Sequence, residues 1–83
     1  MYRASISPRA KRHLKEITKE IHREAVASAI EEIKENPYIG KPLTRELTGK
    51  FSYRIGGYRI VYKIKEKDNL IEILTAGHRS SVY

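Results

Sequence analysis

Two arginines, Arg54 and Arg59, flank a pair of glycines inside a run of alternating apolar and polar residues. Gly56-Gly57 between two such runs predicts a tight β-hairpin, because glycine readily adopts the positive φ angles of type I′ and II′ turns. Counting outward from the turn places Arg54 directly opposite Arg59, on one face of the hairpin. Like charges that face each other destabilise a sheet. We therefore expect an anion, above all a phosphate, to bind to the two guanidinium groups. The alternative is that the two arginine side chains splay apart and remain solvated.

The same register sorts the other hairpin residues between two faces. The apolar face suits a core and carries three predicted pairs: Ile55 with Tyr58, Tyr53 with Ile60, and Phe51 with Tyr62. The arginine face also carries Ser52, Val61 and Lys63. Tyr58 and Tyr62 are therefore predicted to be core residues rather than platforms on which a base stacks.

Length and composition restrict the chemistry further. The 83 residues make one small domain, residues 1–83, which buries only about 60% of its unfolded surface in a thin core. The chain has no cysteine, which excludes disulfides and thiolate metal sites. His13, His22 and His78 are scattered, and the acidic residues show no metal-ligand spacing. The sequence predicts no metal and no cofactor, and His13 and His22 are assigned no role.

The charge of the chain predicts a polyanionic partner. Seventeen basic and ten acidic residues give a net charge of +7, and such a field attracts nucleic acid. The charge is uneven, because residues 1 to 23 hold seven basic and two acidic side chains, whereas residues 24 to 35 hold one and four. An acidic protein would also be attracted, so composition favours nucleic acid only modestly.

Targeting signals are not recognisable in the sequence. The N-terminal region is charged from Arg3 onward, unlike a signal peptide. No apolar run approaches the roughly 20 residues that a membrane-spanning helix needs. We therefore expect a cytoplasmic protein without a membrane partner.

The pattern of apolar and polar residues from 2 to 37 predicts a strand followed by two helices. Tyr2 to Ile6 alternates in the manner of a strand, and Ser7-Pro8 is typical of a helix N-cap followed by proline. Apolar residues then recur at helical spacing: Ala10, Leu14, Ile17, Ile21, Ala25, Val26, Ala29, Ile30 and Ile33. The pattern stops at Asn36-Pro37. One helix of about 28 residues would be about 42 Å long, longer than the expected domain of about 30 Å. We therefore predict a helical hairpin broken near Ile17 to Glu20, with Thr18 capping the second helix.

The rest of the chain predicts a loop and an antiparallel sheet. Residues 36 to 50 contain too many prolines and glycines for regular structure, although Leu43 and Leu47 are expected to anchor this loop to the core. Lys65 to Asn69 is a polar turn, and Leu70 to Ala76 is an apolar run that suits a central strand. The order predicts an α+β fold, in which a two-helix hairpin packs on one face of a small, mainly antiparallel sheet. The other face is expected to be open and basic.

Several short motifs, taken in order, suggest a family. These are Ser7 to Lys11 at the start of a helix, Asn36-Pro37 after the second helix, Gly57 to Tyr62, Gly77 to Arg79, and Val82-Tyr83. Together they make the chain resemble the RelE toxins of the RelE/ParE superfamily, essentially from end to end. The resemblance implies a RelE-like fold and a ribosome-dependent endoribonuclease that cuts messenger RNA in the decoding site. It also implies a cognate RelB-like antitoxin that holds the enzyme inactive.

The resemblance further implies a metal-free reaction and assigns residues to it. A ribose 2′-hydroxyl attacks the adjacent phosphate, which leaves a cyclic phosphate and a free 5′-hydroxyl. Arg59 matches a phosphate-binding position, and Arg79 matches an arginine suited to assist the leaving group. Tyr83 matches a C-terminal tyrosine implicated in base stacking or in activating the 2′-hydroxyl. Arg54 stands where other members carry a lysine proposed to transfer protons, and an arginine should act there as a fixed cation instead.

The remaining basic residues receive secondary assignments. A second family lysine lies in a longer version of the turn that Gly56-Gly57 replaces, so Lys50, or a loop lysine such as Lys41, is the candidate to compensate. His78 is a candidate general acid, because histidine titrates near neutrality, although a structural role is the commoner one. Lys50 and Lys41 are also expected to help bind RNA through phosphate contacts, together with four further lysines and arginines: Lys11, Arg12, Lys15 and Lys63.

Two other functions stay open at this point. The ParE branch of the same fold inhibits DNA gyrase by protein contact, and Arg79 followed by Tyr83 argues against that branch. An RNA-binding module without chemistry would satisfy the charge alone, but it gives no reason for the arginine pair. Codon-phased cuts in messenger RNA would distinguish the first function from double-strand DNA breaks caused through gyrase.

Overall fold

One strand, two helices and four further strands follow one another along residues 1–78, which are the residues that this computed structural model describes. The strands are β1 (Arg3–Ile6), β2 (Lys41–Pro42), β3 (Lys50–Ile55), β4 (Tyr58–Lys65) and β5 (Leu70–His78). The helices are α1 (Pro8–Lys15) and α2 (Glu20–Glu35), and single 3₁₀ turns cover Pro37–Ile39, Arg45–Leu47 and Glu66–Asp68. This order confirms the predicted α+β class.

The strands form one sheet in the order β1-β5-β4-β3-β2. All neighbours are antiparallel except β1, which runs parallel to β5. The predicted hairpin register is confirmed, because Arg54 faces Arg59 and Tyr53 faces Ile60. Gly56 has a φ angle of +58°, which glycine adopts without the steric penalty that a side chain would bring.

The two helices start and stop near the predicted positions. Ser7 caps α1, because its hydroxyl accepts a hydrogen bond from the Ala10 amide at 3.0 Å, and the break between the helices is confirmed. The prediction of Thr18 as the second cap is wrong. Lys19 occupies the N-cap of α2 without a capping side-chain hydrogen bond. The connection is held instead by Arg23, whose Nε donates to the Ile17 carbonyl at 2.6 Å.

The core lies between the helices and one face of the sheet. Val26, Ala29 and Ile33 of α2 pack there, together with α1 residue Ala10. The sheet contributes buried residues of β4 and β5 to the same cluster: Ile60, Tyr62, Ile71, Ile73 and Ala76. Tyr62 is thus a core residue, as predicted. Ile21 departs from the predicted apolar stripe, because 72% of it is exposed on the first turn of α2.

Residues 36 to 50 are more ordered than the sequence predicts. Lys41–Pro42 forms a short edge strand, with Lys41 opposite Ser52 of β3. The Tyr62 hydroxyl holds this segment, because it donates to the Pro37 carbonyl at 2.6 Å and accepts from the Gly40 amide at 3.1 Å. An added Cβ at Gly40 would lie 2.4 Å from the same hydroxyl. Only glycine therefore fits where the chain enters β2.

The sheet face away from the core cluster, here called the outer face, carries side chains that alternate with the core residues. Its members toward the β2 edge are Lys41, Lys50, Ser52, Arg54, Arg59, Val61, Lys63 and Thr75, and Glu72 of β5 lies on the same face opposite Lys63. The expectation of an open face is only partly right, since Ser52, Val61 and Thr75 are 9%, 5% and 6% exposed. Leu43 and Leu47 line cavities on this face rather than joining the core cluster, which corrects their predicted role.

The start of α1 completes the edge of β5 beyond the end of β1. The Ser7 hydroxyl donates to the Leu74 carbonyl at 2.7 Å, and His13 Nδ1 accepts from the Ala76 amide at 3.3 Å. His13 therefore satisfies a strand edge that would otherwise need another strand. Among residues 1–78, no helix combines the length and the apolar character that a membrane crossing requires.

Candidate active site on the outer face

Three cations share one cavity of about 580 Å³ on the outer face, here called the first cavity. Arg54 and Arg59 come from the hairpin, and Lys41 comes from the edge strand. The lining is completed by Ser52 and by the loop residues Ile39, Pro42, Leu43 and Thr44. No acidic residue stands in this lining, so the cavity is an electropositive site that suits an anion.

The hairpin fixes the two arginines. Cross-strand pairing sets Arg54 opposite Arg59, and Arg59 in turn faces Gly77 of β5. Arg54 is exposed, whereas Arg59 is half-buried. Gly77, the register partner of Arg59 on β5, has no side chain. A guanidinium presents a planar fork of N–H donors that matches phosphate oxygens, and this pair can therefore hold a phosphate from two sides.

Lys41 reaches the same cavity through the segment that Tyr62 anchors. Its register partner Ser52 lies two residues before Arg54 on β3, which corresponds to about 7 Å along a strand. Burial raises the pKa of the Tyr62 phenol, and the hydrogen bond from Gly40 opposes that rise. Tyr62 therefore stays a neutral donor and acceptor that fixes the approach to β2. Sequence reasoning named Lys41 but missed Gly40 and Tyr62 as the residues that position it.

A second cavity, of about 540 Å³, lies beside the first one on the outer face. Lys50 of β3 and two arginines of α1, Arg9 and Arg12, form its cationic part. Val61, Thr75 and four other residues complete its lining: Ser7, Pro8, Leu47 and Leu74. Arg12 and Lys50, which the sequence assigns to RNA binding, are thus brought together, and Arg9 was missed.

The other predicted residues fall into separate places. Lys63 is exposed on the outer face, opposite Lys50, and Lys11 and Lys15 are exposed on α1. His78 faces Tyr58 across the β4–β5 ladder, on the core side of the sheet rather than with the arginines. Its ring lies 6.1 Å from that of Tyr58, which also contacts His22 through a 3.1 Å hydrogen bond. Arg79 and Tyr83 lie outside the described residues.

Metal ligands do not cluster in the part of the chain that the structure covers. Residues 1–78 contain no group of three or more His, Cys, Asp or Glu side chains that could hold an ion.

Known proteins resemble this chain over nearly its whole length. The family model for the ParE toxin of the type II toxin-antitoxin system parDE matches residues 4–83. Toxin RelG of Mycobacterium tuberculosis is 35% identical over 99% of this chain and 95% of its own length. Toxin RelE of the same organism is 34% identical over 99% of this chain and 86% of its own length.

A solved structure supports the same relationship at the level of the fold. The chain superimposes on one chain of the toxin-antitoxin complex RelBE2 of Mycobacterium tuberculosis with a TM-score of 0.83 and 35% identity. That match covers 94% of this chain and 98% of the other. Sequence, topology and the predicted motifs agree, and the chain belongs to the RelE/ParE superfamily of type II toxins, in which it is RelE-like.

Proposed function

We propose that this toxin is a ribosome-dependent endoribonuclease that cuts messenger RNA without a metal. The observation that carries the proposal is the first cavity, in which Arg54, Arg59 and Lys41 converge without an acidic neighbour in the lining. The likeness to RelG and RelE toxins supports a RelE-type activity. The net charge of +7 agrees with a nucleic-acid substrate.

The proposed reaction is an in-line attack of a ribose 2′-oxygen on the adjacent phosphorus. A new P–O2′ bond forms, the P–O5′ bond breaks, and the products are a 2′,3′-cyclic phosphate and a free 5′-hydroxyl. One proton leaves the 2′-hydroxyl and one is delivered to the departing 5′-oxygen. Arg54 and Arg59 stabilise the extra negative charge of the phosphorane, as preorganised donors do at an oxyanion.

Proton transfer needs a group other than the paired arginines, because arginine keeps its proton in proteins. Lys41 is the lysine that the described residues bring into the first cavity, whereas Lys50 lies in the second cavity. We assign proton transfer to Lys41 on this ground. Arg79 is proposed to assist the leaving group and Tyr83 to stack on a base, as the resemblance implies.

The role of Lys41 can be tested by chemical rescue, because the chain has no cysteine of its own. Lys41→Cys should lose cleavage, and aminoethylation of that single cysteine should restore an amine and part of the rate. Lys41→Arg should bind RNA with near-normal affinity and cleave slowly. Full activity of Lys41→Arg would exclude Lys41 as the proton-transfer group.

A RelB-like antitoxin is the proposed regulatory partner. The RelBE2 relative was solved as a toxin-antitoxin complex, and this chain covers nearly all of the chain it matches there. Its short edge strand β2 and its exposed cationic outer face offer surfaces for an extended partner that folds on binding. Co-expression with the adjacent gene should abolish toxicity.

A ParE-like activity is the second candidate, because the matching family model is that of ParE toxins. In that case the toxin would inhibit DNA gyrase by protein contact. The first cavity would then have no phosphate to bind during its action.

One experiment separates the two candidates. The toxin is induced in a bacterium, messenger RNA 5′ ends are mapped, and plasmid supercoiling is followed in parallel. Codon-phased cuts that vanish in Arg59→Ala and Arg79→Ala but persist in Lys19→Ala support RNA cleavage. Lys19 is a suitable control, because it is exposed at the N-cap of α2, away from the outer face. Intact transcripts with double-strand DNA breaks would replace this proposal by the ParE-like one.

A further inference from the structure

We propose that the second cavity binds a base of the same RNA strand whose phosphate lies on Arg54 and Arg59, and that Thr75 reads that base. This inference rests on the proposed function, since it adds a specificity-determining residue to an RNA-binding face. It concerns a part of the outer face to which sequence reasoning assigned only phosphate contacts.

The cavity has an apolar floor and a cationic rim. Val61 is 5% exposed, and it lines the cavity together with the apolar side chains of Leu47 and Leu74. Lys50 and Arg12 stand among the lining residues, and no carboxylate does. A nucleotide base is a flat, largely apolar ring, and the phosphates on both sides of it are anionic. An unstacked nucleotide therefore complements the apolar and cationic parts of the cavity.

Thr75 supplies the polar group that such a pocket needs. It is 6% exposed, and its Oγ1 has no hydrogen-bond partner within residues 1–78. A buried hydroxyl without a partner is unfavourable, and a threonine hydroxyl can both donate and accept. The register places Thr75 opposite Val61 on the outer face. The Thr75 hydroxyl is therefore a polar group among apolar lining residues, and it is suited to a hydrogen bond with the edge of a base.

The two cavities lie in line along β3. Ser52 of the first cavity pairs directly with Val61 of the second. Lys50 and Arg54 lie on the same strand and the same face, four residues apart, which corresponds to about 14 Å. That span accommodates several nucleotides of a stacked strand, whose rise is about 3.4 Å. One RNA strand can therefore place a phosphate in the first cavity and a base in the second.

One loop borders both cavities. Leu43 and Thr44 line the first cavity, and Leu47 lines the second. The backbone hydrogen bonds of this loop run within residues 43 to 50, from Leu43 to Lys50, Leu47 to Thr44, and Thr48 to Arg45. The first of these bonds ties the loop to the start of β3, between the two cavities.

The test measures binding apart from cleavage. The probes are 2′-O-methyl RNA hexamers, which have no free 2′-hydroxyl to attack, and an abasic strand of the same length. The readouts are methyl signals of Val61, Leu74 and Thr75 in NMR spectra, together with amide signals of Arg54 and Arg59. We expect the base-containing strands to shift both the methyl signals and the arginine amide signals. The abasic strand should shift only the arginine amide signals.

Two variants test Thr75 directly. Thr75→Val keeps the shape without the hydroxyl and should reduce the preference among A, C and U hexamers by roughly 2- to 10-fold. Thr75→Ser keeps a hydroxyl and should retain the preference. An unchanged preference among the hexamers in Thr75→Val would overturn the proposal. Methyl signals that shift as much with the abasic strand as with the base-containing strands would overturn it too. This second comparison uses the unmodified toxin, so it holds even if a variant folds poorly.

Two further outcomes remain distinguishable. Arginine signals that do not move with any RNA would count against the proposed nuclease as a whole. Movement of the Val61 and Thr75 methyl signals with an antitoxin peptide but not with RNA would make the second cavity an antitoxin surface, and would overturn the base pocket alone.

Discussion

Arg54 and Arg59 form one pair but differ in their surroundings. Arg59 is half-buried between Arg54 and Gly77, whereas Arg54 is exposed. Water screens an exposed charge more strongly than a half-buried one, so an anion interacts more strongly with the buried member. Arg59 is therefore expected to contribute more to transition-state stabilisation than Arg54.

We expect Arg59→Ala to lower the cleavage rate by roughly 100- to 1,000-fold, as loss of one preorganised donor does at an oxyanion. Arg54→Ala should lower it less, and Arg59→Lys should lie between the wild type and Arg59→Ala. The measurement is single-turnover cleavage of messenger RNA on purified ribosomes. A larger loss in Arg54→Ala than in Arg59→Ala would contradict the assignment.

The same pair should oppose folding, because like charges face each other across the ladder. Arg54→Thr removes that repulsion and places a residue with high β-propensity on the strand. We expect the free energy of unfolding to rise by about 0.2–1 kcal/mol while cleavage falls. Urea denaturation monitors the first effect, and Lys67→Thr, in the exposed turn before β5, serves as the matched control. A loss of stability in Arg54→Thr would show that the pair is not strained in the free toxin.

The buried phenol of Tyr62 should make the stability of the fold depend on alkaline pH. Burial raises the pKa of its phenol above the ordinary value of 10.0, so the folded state favours the neutral form. The resulting stability is complete below pH 10 and is lost as pH rises from there through the raised pKa. Tyr62→Phe should lower the free energy of unfolding at neutral pH by about 1–3 kcal/mol and flatten its decline at alkaline pH.

Tyrosines on the surface provide the control for that prediction. The hydrogen bond to Glu32 raises the pKa of Tyr53, and the hydrogen bond to Glu66 raises that of Tyr38 to about 12. Both side chains are more exposed than Tyr62. The measurement is thermal unfolding of both variants from neutral to alkaline pH, in which Tyr53→Phe should change the alkaline decline in stability less than Tyr62→Phe.

At the scale of elements, the sequence is most informative where turn chemistry and periodicity agree. Gly56-Gly57 determines the register of β3 and β4, so the position of Arg54 opposite Arg59 was predictable. The helical hairpin was predictable too, because one helix would exceed the size of the molecule, whose longest extent is 35 Å. Thr18 failed as a cap because backbone geometry places Lys19 there.

The parts that the sequence did not reveal depend on tertiary contacts. β2 is two residues long among prolines and glycines, and it exists because Tyr62 holds both Pro37 and Gly40. The ladder between β4 and β5 contains an irregularity at Val61/Tyr62, which an apolar run does not disclose. The position of His78 on the core side follows from that ladder. Lys41, rather than Lys50, therefore joins the arginines for reasons that only the fold shows.

Gly40 is the glycine on which the edge strand depends. In Gly40→Ala the new Cβ would meet the Tyr62 hydroxyl and the Ser52 carbonyl, 2.4 Å and 3.1 Å away. We expect a loss of about 1–3 kcal/mol in the free energy of unfolding and slower cleavage through displacement of Lys41. Gly57→Ala is the matched control, because its Cβ would lie 3.5 Å from His78 in ordinary contact. Equal stability of both variants in urea would contradict this account of β2.

At the scale of the whole molecule, positive charge is concentrated on the outer face and α1. Helix α2, which packs on the opposite face of the sheet, carries instead several exposed carboxylates: Glu20, Glu24, Glu31, Glu32 and Glu35. The protein therefore has one basic side and one acidic side. Its electrostatic field orients the molecule so that the first and second cavities face an approaching polyanion.

Salt dependence measures how many phosphates that surface contacts. The logarithm of RNA affinity should fall linearly with the logarithm of salt concentration, by about 0.7 per phosphate contact on a single strand. Lys50→Ala should reduce the slope by one contact, and Lys19→Ala should leave it unchanged. Fluorescence anisotropy with a labelled RNA hexamer provides the data. Equal slopes for the two variants would remove Lys50 from the RNA-binding surface.

The parallel pairing of β1 with β5 affects how the toxin is made. Ser7 bonds to Leu74, 67 residues further along the chain, so β1 and the start of α1 find their partner only once β5 has left the exit tunnel. Contacts between such distant segments form late in folding. During translation the growing polypeptide therefore has neither a closed core nor a finished cationic surface, and a folded toxin meets the cell only after β5 has been synthesised.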